Sequence, residues 1–471
     1  MPQNIAACRP RLSWPAHARH PLRARRHGGN FIFNLDQGRN TMNETIEKKD
    51  ATAFSEAWWA DFMDRSQNLS KPVVVKNAIP QEKFRHHQQN VLSIIADLAK
   101  LKTTQFGYRI YIEGRLLGPN EMDDIFEKSA PLENEELETW AARVFGDQRF
   151  GIILNSGEKF NQALSKEIAV ALAPLFDEIG YPRGGVQFTI FIGNYDKTPL
   201  GIHQDQRGES VIHFHVGPGS KTMYVWDREQ YKNLLETQNL TRKDFAKLRP
   251  YASEFHFESG DLYFMPEGTY HIGMQEGLSV GITVWRYSHT DDLLAKHLHQ
   301  RIFKQIPVEK TEDFQHDENS LDDTSGLDKI IEKYSLTDEC KNLNYSELLR
   351  KTYQDWRYSV HSNAGYRNSP FPREGLEKIA LQDRIAIESP YKILARESEN
   401  TDKIYIYVRG HKIEFNRFPC VLALIQRLNE GRTEAVADLL QILDKSWPAQ
   451  VGLYILNELY HWRGIDKVAR Q

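Results

Sequence analysis

Cysteine is nearly absent from this chain: three among 471 residues, Cys8, Cys340 and Cys420, far apart and with no Cys-x-x-Cys pair. An odd number at such spacing argues against a disulfide framework and a cysteine-built zinc site, and fits a reducing cytoplasm. Long apolar runs are lacking too. No stretch approaches the roughly eighteen residues that span a bilayer, so membrane insertion is not expected. Neither sign of charge is in excess: 60 Lys and Arg stand against 64 Asp and Glu, a formal net charge of -4, which provides no field for gathering nucleic acid. No internal repeat is present. With 40% hydrophobic and 26% charged residues the composition is that of an ordinary globular protein. The length exceeds one compact core, so two or three folding units are expected.

The N-terminal stretch lacks apolar periodicity. "CRPRLSWPAHARHPLRARRHGGN" is rich in arginine, proline and histidine without one acidic residue, and it has no pattern from which to build a core. It also lacks the serine content and amphipathic helix of an organellar targeting segment. Residues 1–41 therefore read as a disordered arm, or as an upstream extension of a start at Met42.

Beyond Met42 the chain is patterned. Phe54, Trp58 and Phe62 form one stripe of a helix over 53–66. "KPVVVKNAIP" (71–80) reads as a short buried strand ending in a turn. Helices are expected around 81–100 and 160–180, flanking a mixed region that holds a strand in "FGYRIYIEGRLL". From Gln187 to Ser288 the pattern is all-β: "VQFTIFIGNY", "SVIHFHVG", "KTMYVWD", "EFHFESGDLYFMP" and "SVGITVWRYS" are short β-branched or aromatic runs broken by Gly, Pro and Asn. Strands so spaced make a barrel or sandwich. A helix comes next in "LLAKHLHQRIFKQI", then a polar, acidic stretch at 309–326 that reads as a linker. Near the C-terminus a strand pair, "YKILAR" and "KIYIYVRGHKIEFN", precedes the helical runs "PCVLALIQRLNEG", "RTEAVADLLQIL" and "VGLYILNELYHWRG", a small winged-helix-like unit. The expected division is an arm at 1–41, a β-rich unit at 42–290, a helical segment at 291–360 and a winged-helix-like unit at 361–471.

The chemistry-bearing residues lie in the β-rich part. In "GIHQDQRGES" His203 and Asp205 are two apart, and on a strand such residues share a face. A third metal ligand must come from another strand. His271 comes just after "GDLYFMPEGTY", where Pro266 and Gly268 supply a tight turn. Two neutral imidazoles and one carboxylate on one side of a metal leave several positions open, which suits non-haem Fe(II) and oxygen activation. A small residue in place of Asp205 would leave room for a halide; with a carboxylate there, hydroxylation is the expected outcome. The alternative is three satisfied polar residues in a chain with seventeen histidines. His213 and His215, in "VIHFHVG", form a second candidate pair, but no glutamate stands shortly after them to complete a site, the chain continuing "VGPGSK". They read as barrel-lining or substrate-pocket side chains, or as buried, hydrogen-bonded structural ones. Arg207 is a possible substrate contact or a solvated loop arginine.

Gly260, Pro266, Gly268 and His271 meet the pattern G-x5-P-x-G-x2-H. "SGDLYFMPEGTYHIGMQEGLSVGITVW" thereby resembles the second metal-binding hairpin of the JmjC-type and cupin-like Fe(II)/2-oxoglutarate dioxygenases, and "KPVVVKNAIP" is similar to their opening strand. The resemblance covers roughly residues 70–290. It implies an α+β fold: a double-stranded β-helix (jelly-roll, cupin) barrel with flanking helices. It also implies Fe(II), 2-oxoglutarate and O2 as cofactor and co-substrates, with His203, Asp205 and His271 as metal ligands and catalytic residues. A cation must face the distal carboxylate of 2-oxoglutarate, and Lys221 in "GPGSKTMYVWD" stands in the matching place, its other reading being a solvated strand-edge lysine. The rival, Arg286 in "VWRYS", resembles the Arg-x-Ser anchor of other 2-oxoglutarate enzymes but lies further past His271 than that pattern usually allows. Related protein hydroxylases often carry a hydroxyl residue three positions before the first histidine. Leu200 stands there, leaving Thr198, Thr283 or Tyr195 to contribute.

The order of units is similar to that of prokaryotic ribosomal-protein arginyl hydroxylases. This implies a peptide or protein substrate, a cytoplasmic enzyme, and a homodimer formed through helices between 291 and 360. The C-terminal hairpin and helix also resemble peptide-recognition modules of ribosomal-peptide natural-product pathways, which bind a leader peptide at a sheet edge. Arg409, His411, Lys412 and Arg417 alternate with Glu414 and Glu430, so no continuous basic footprint for nucleic acid is expected. The expected activity is hydroxylation of an amino-acid side chain in a peptide or protein. The alternatives are a small-molecule hydroxylase, a peptide-tailoring enzyme, and a non-catalytic cupin-fold binding protein.

Overall fold

The computed structural model describes residues 52–101, 106–198, 200–304, 320–328, 340, 343–375, 377–398 and 402–468. The expected arm at 1–41 lies outside them, as does most of the expected linker at 309–326. The described residues belong to one compact unit, Lys48–Gln471, in which no helix is long and apolar enough to cross a membrane.

Ten strands form one antiparallel sheet: β1 (Val73–Val75), β2 (Arg109–Ile112), β3 (Arg115–Leu116), β4 (Phe150–Leu154), β5 (Val186–Gly193), β6 (His203–Gln204), β7 (Glu209–Trp226), β8 (Ser253–Phe257), β9 (Leu262–Met265) and β10 (Tyr270–Tyr287). Their order is β1-β9-β7-β10-β5-β4-β2-β3, with β6 on β10 and β8 on β7. The long strands β7 and β10 pair from Glu209 opposite Tyr287 to Trp226 opposite Tyr270, with two register shifts near their middle.

Strand alternation sorts the side chains into two sides. Ile212, Phe214 and Val216 of β7, Ile282 and Val284 of β10, and Phe188, Ile190 and Ile192 of β5 join the main core, which also draws on helices Glu56–Arg65, Phe84–Leu101 and Gln162–Ile179. Val211, Met223, Val225, Phe257, Tyr263 and Met265 form a separate cluster on the inner side. His213, His215, Lys221 and Thr283, all buried, fall at the same alternate positions and share that inner side. The sheet thus turns a largely apolar side, broken by Arg286, to the helices and keeps His213, His215 and Lys221 within.

One stretch differs from expectation. The span 187–288 is not all-β: helix Arg228–Thr237 interrupts it, its first turn capped by the Asp227 side chain, which accepts from Glu229 and Gln230 N–H. Its Tyr231 and Leu234 pack with Tyr224, Trp226 and Ile272, but its apolar positions are too few to show a helical period in the sequence. The region expected to be mixed holds helices Pro119–Lys128 and Leu137–Phe145 together with β2, β3 and β4.

The chain continues through helix Asp291–Phe303 and helix Tyr345–Ser362, the latter opened by a capping box between Asn344 and Glu347. Three strands, Leu394–Glu397, Lys403–Val408 and His411–Asn416, then form a second antiparallel sheet where a strand pair was expected. Helices Pro419–Leu428, Val436–Leu440 and Ala449–His461 come after it, the middle one much shorter than its sequence pattern and preceded by strand Glu434–Ala435. A third small sheet sets Arg384–Ala386 between Glu434–Ala435 and Asp466–Lys467. These elements enclose their own core, including Ile404, Ile406, Leu424, Leu456 and Leu459.

A seam joins β5 to the chain just past helix Tyr345–Ser362, where Ala364 and Tyr366 belong to the main core. Val186 N–H donates to Gly365 O and Arg367 N–H to Val186 O, both at 2.8 Å, while Trp356 Nε1 donates to Arg183 O at 2.7 Å. Glu158 lies within the seam, 1% exposed, accepting from Phe188 N–H at 3.1 Å and Asn368 Nδ2 at 2.7 Å. Burial raises its carboxyl from the ordinary 4.5 to about 7, with the Asn368 hydrogen bond opposing. Because the raised value belongs to the folded state, ionisation of Glu158 opposes folding. Its penalty is absent below about 4.5, grows as pH rises and is complete above about 7. Glu158→Gln keeps the shape without the charge. It is expected to melt above the unsubstituted protein at pH values beyond about 7 and to lose that advantage as pH falls toward about 4.5; a thermal scan showing no gap on the alkaline side would refute this account.

Candidate metal centre

β6 pairs with the start of β10 so that His203 lies directly opposite His271 and Gln204 opposite Tyr270. The same end of β10 pairs on its other edge with β7, His271 facing Val225. Cross-strand neighbours share a face, and the two imidazole rings stand 4.3 Å apart between centroids. Asp205, two past His203, turns to the same place: its Oδ2 lies 3.9 Å from His271 Nε2. One ligand atom from each of the three lies within 4.8 Å of the others. Donors bonded at about 2.0–2.2 Å to one divalent ion stand close to such a separation.

The backbone selects the tautomer. His203 Nδ1 lies 2.8 Å from Gly201 O and His271 Nδ1 3.1 Å from Thr269 O. A carbonyl only accepts, so each Nδ1 carries the proton and each Nε2 keeps a lone pair for a metal. Burial, with His203 adding to it, presses His271 down to about 3. Burial lifts the Asp205 carboxyl to about 6, His203 opposing. Asp205 Oδ2 is a buried acceptor with no hydrogen-bond donor. Two imidazoles with their Nε2 atoms turned inward and a carboxylate oxygen without a donor among the described residues form a donor set that a divalent cation satisfies.

Beside the triad, Gly273 leaves a gap that other side chains fill. A Cβ there would lie 3.0 Å from Met223 Sδ, 3.1 Å from Lys221 Cε and 3.2 Å from Thr198 Oγ1. Lys221 is 8% exposed and not a solvated edge residue; its Nζ sits 5.5 Å from the Phe191 ring centroid. Burial lowers its ammonium to about 8, and it is in no ion pair among the described residues. Thr198 donates to Gly273 O at 3.1 Å, and the Tyr195 phenol, pushed by burial to about 12, hydrogen-bonds Thr198. One wall therefore presents an unpaired ammonium and two hydroxyls.

The remaining candidates fall at varying distances from this wall. Thr283 is on the inner side, but its Oγ1 is 2.7 Å from His213 Nδ1. Arg286 is not brought to the triad. It shares the strand side of Ile282 and Val284, and its Nη1 donates to Ser210 Oγ at 3.2 Å; a one-residue step in alternation sends it away from the inner side. His213 and His215 are buried and linked: His213 Nε2 lies 3.4 Å from His215 Nδ1, and His215 Nε2 donates to Gly219 O at 2.7 Å. Arg207 reaches Asp292 at 4.0 Å on the surface, and Leu200 is exposed.

Three residues were not singled out from the sequence. Tyr263 Oη and Trp285 Nε1 are buried on the inner side without partners. Glu209, four past Asp205, is raised to about 7 by burial and by Asp205. For Tyr263 the signal was its cross-strand position opposite His213, visible only once the pairing is known. A separate hollow of about 530 Å³, lined by Asn77, Pro80, Phe84, Pro218 and Glu258 among others, includes no triad residue.

The folded chain thus presents an α+β protein with a two-histidine, one-carboxylate centre. No family model matches the sequence, and no curated protein matches it. Among solved structures, YcfD, a ribosomal oxygenase from Escherichia coli, aligns with a TM-score of 0.43 at 15% identity, over 87% of this chain and 98% of that one. Its complexes with cobalt and succinic acid and with cobalt and 2-oxoglutarate give TM-scores of 0.44 and 0.42, each at 16% identity and with the same shares covered. Likeness of that degree leaves the chemistry to the side chains themselves.

The inner side depends on one further small residue. A Cβ at Gly281 would lie 1.9 Å from His213 Cε1. Gly281→Ala is therefore expected to displace His213 from Thr283 and to destabilise the fold by about 1–3 kcal/mol. His213→Ala in the same chain should recover part of that loss in denaturant unfolding, and the absence of any recovery would refute the clash.

Proposed function

We propose that this chain is an Fe(II)/2-oxoglutarate-dependent oxygenase of JmjC or cupin type that hydroxylates an amino-acid side chain in a peptide or protein. The convergence of His203, Asp205 and His271, with both Nδ1 atoms protonated by backbone geometry, carries the reading. The ten-stranded sheet, with long paired strands β7 and β10 and an inner side of buried polar groups, supports a double-stranded β-helix. His203 Nε2, His271 Nε2 and an Asp205 oxygen would hold Fe(II). That ion, when bound, supplies the redox chemistry by which O2 and 2-oxoglutarate yield a hydroxylated product, succinate and CO2.

The protein's own contribution is placement. Lys221 is the cation for the distal carboxylate of 2-oxoglutarate, since a buried ammonium without a counter-ion gains most from such a partner, and Tyr195 and Thr198 offer hydroxyls beside it. Tyr263 and Trp285 direct unpaired donors toward the inner space, and the cluster of Val211, Met223, Val225 and Met265 excludes water around it. No general base is required of the chain.

In the same reading the chain is organised as a catalytic unit over 42–290, a helical dimerisation segment over 291–360 and a winged-helix-like unit over 361–471. The order helix, short strand, two helices, short strand from Pro419 to Lys467 supports the last. Phe303 and Tyr345, both largely exposed on the helical segment, offer apolar area for a second copy. Strand His411–Asn416 stands at the edge of its sheet, which favours a peptide substrate added as a further strand and keeps peptide tailoring as the second reading.

Supplied with Fe(II), ascorbate and 2-oxoglutarate, the chain is expected to release succinate, and His203→Ala or Asp205→Ala to abolish it; near-normal turnover in either variant rejects the centre. Lys221→Met should still bind cobalt(II), followed by its visible absorption, while the KM for 2-oxoglutarate rises about ten- to hundredfold, the scale of one charge-assisted hydrogen bond. An unchanged KM would move the anchor elsewhere.

A further inference from the structure

Beyond β10 the chain turns at His289 and enters helix Asp291–Phe303, on which His297 and Arg301 stand one turn apart on the same face. A run of ring contacts crosses this corner. Arg367 lies over Tyr287 at 4.0 Å, Tyr287 meets His289 at 6.2 Å and His289 meets His297 at 5.4 Å. His297 packs against Trp356 at 4.4 Å, and Arg301 lies over Trp356 at 4.6 Å. Three separate stretches of chain thus bring two guanidinium and two imidazole groups together.

Two features of the corner have no counterpart among the described residues. His289 Nδ1 and His297 Nε2 are buried without a hydrogen-bond partner among the described residues. Among the described residues, neither Arg301 nor Arg367 is in an ion pair, although the two repel each other and both disfavour charge on His297. Among the described residues the nearby acids are engaged or more distant, Asp355 attracting Arg301 without reaching ion-pair distance. Asp355 is held by Arg396 and Lys412, Asp291 by Arg183, and Asp292 by Arg207, while Glu209 attracts Arg367 from beyond ion-pair distance. Cations gathered over orphaned imidazole nitrogens are unfavourable unless something negative lies among them.

We infer that His289, His297, Arg301 and Arg367 form an oxyanion-binding site that takes a phosphate- or carboxylate-type group. Guanidinium forks and imidazole N–H groups are suited donors for such oxygens. Tyr287, which Arg367 covers, lies opposite Glu209 at the start of β7, four residues past Asp205, and the site would hold an anionic group of a molecule bound on this side of the chain. It does not rest on the oxygenase reading, and its test needs neither metal nor 2-oxoglutarate.

The test uses the full chain near neutral pH at constant ionic strength set with chloride. Millimolar inorganic phosphate is expected to raise the melting midpoint to a plateau, with broadening of the phosphorus-31 resonance over the same range. Arg301→Gln and His297→Gln should each weaken the response about tenfold, the scale of one lost charge-assisted hydrogen bond. Should either fail to fold, Arg367→Lys, which keeps the charge and loses the fork, is expected to weaken it as well. Acetate acting like phosphate would assign the site to carboxylates, and acetate without effect would assign it to phosphoryl groups; both support an oxyanion site. No response to either anion beyond chloride, or an undiminished response in the folded variants, overturns it.

Discussion

A strand of two residues, β6, holds His203 against His271 on the first turn-free stretch of β10, and the carbonyls of Gly201 and Thr269 hold the proton on the far nitrogen of each ring. Every chemical property of the centre depends on that arrangement. The facing nitrogens are lone pairs because the backbone has taken the other ring positions, and Asp205 joins them because strand geometry returns it to the same side two residues later. The long β7 and β10 ladders beneath make the platform stiff, so the donor atoms are arranged before any ion arrives.

The surrounding sheet explains why these groups are so strongly perturbed. Its outer side packs apolar residues against helices, so the polar residues are concentrated within, where water is scarce and charge is expensive. Asp205 is raised, His271 is lowered and Lys221 is lowered, all chiefly by burial. Opposed shifts in a carboxyl, an imidazole and an amine within one enclosure have a common cause, and a cation beside Asp205 with an anion beside Lys221 would relieve both ends together.

Much of this was readable from residue order. The His203/Asp205 spacing, the turn before His271 and the β-branched runs announce both the clustered triad and the strands, because each signal is local. Signals that depend on partner choice were hidden. The helix Arg228–Thr237 has too few apolar positions to declare itself. Arg286 differs from Thr283 and Trp285 by one step of alternation, which no motif distinguishes but which sends its guanidinium to the opposite side of the sheet. Glu158 and Arg367 acquire their meaning only through residues far along the chain, so nothing in their own neighbourhoods marks them.

The seam has a bearing on how the molecule comes into being. A ribosome delivers β5 and Glu158 well before Gly365 and Asn368, so the first residue of β5 must wait, its N–H without the Gly365 carbonyl and the Glu158 carboxyl without its amide donor. Closing contacts so distant along a chain is slow. During synthesis the β-rich half is therefore a provisional structure, finished by a segment that emerges nearly two hundred residues later.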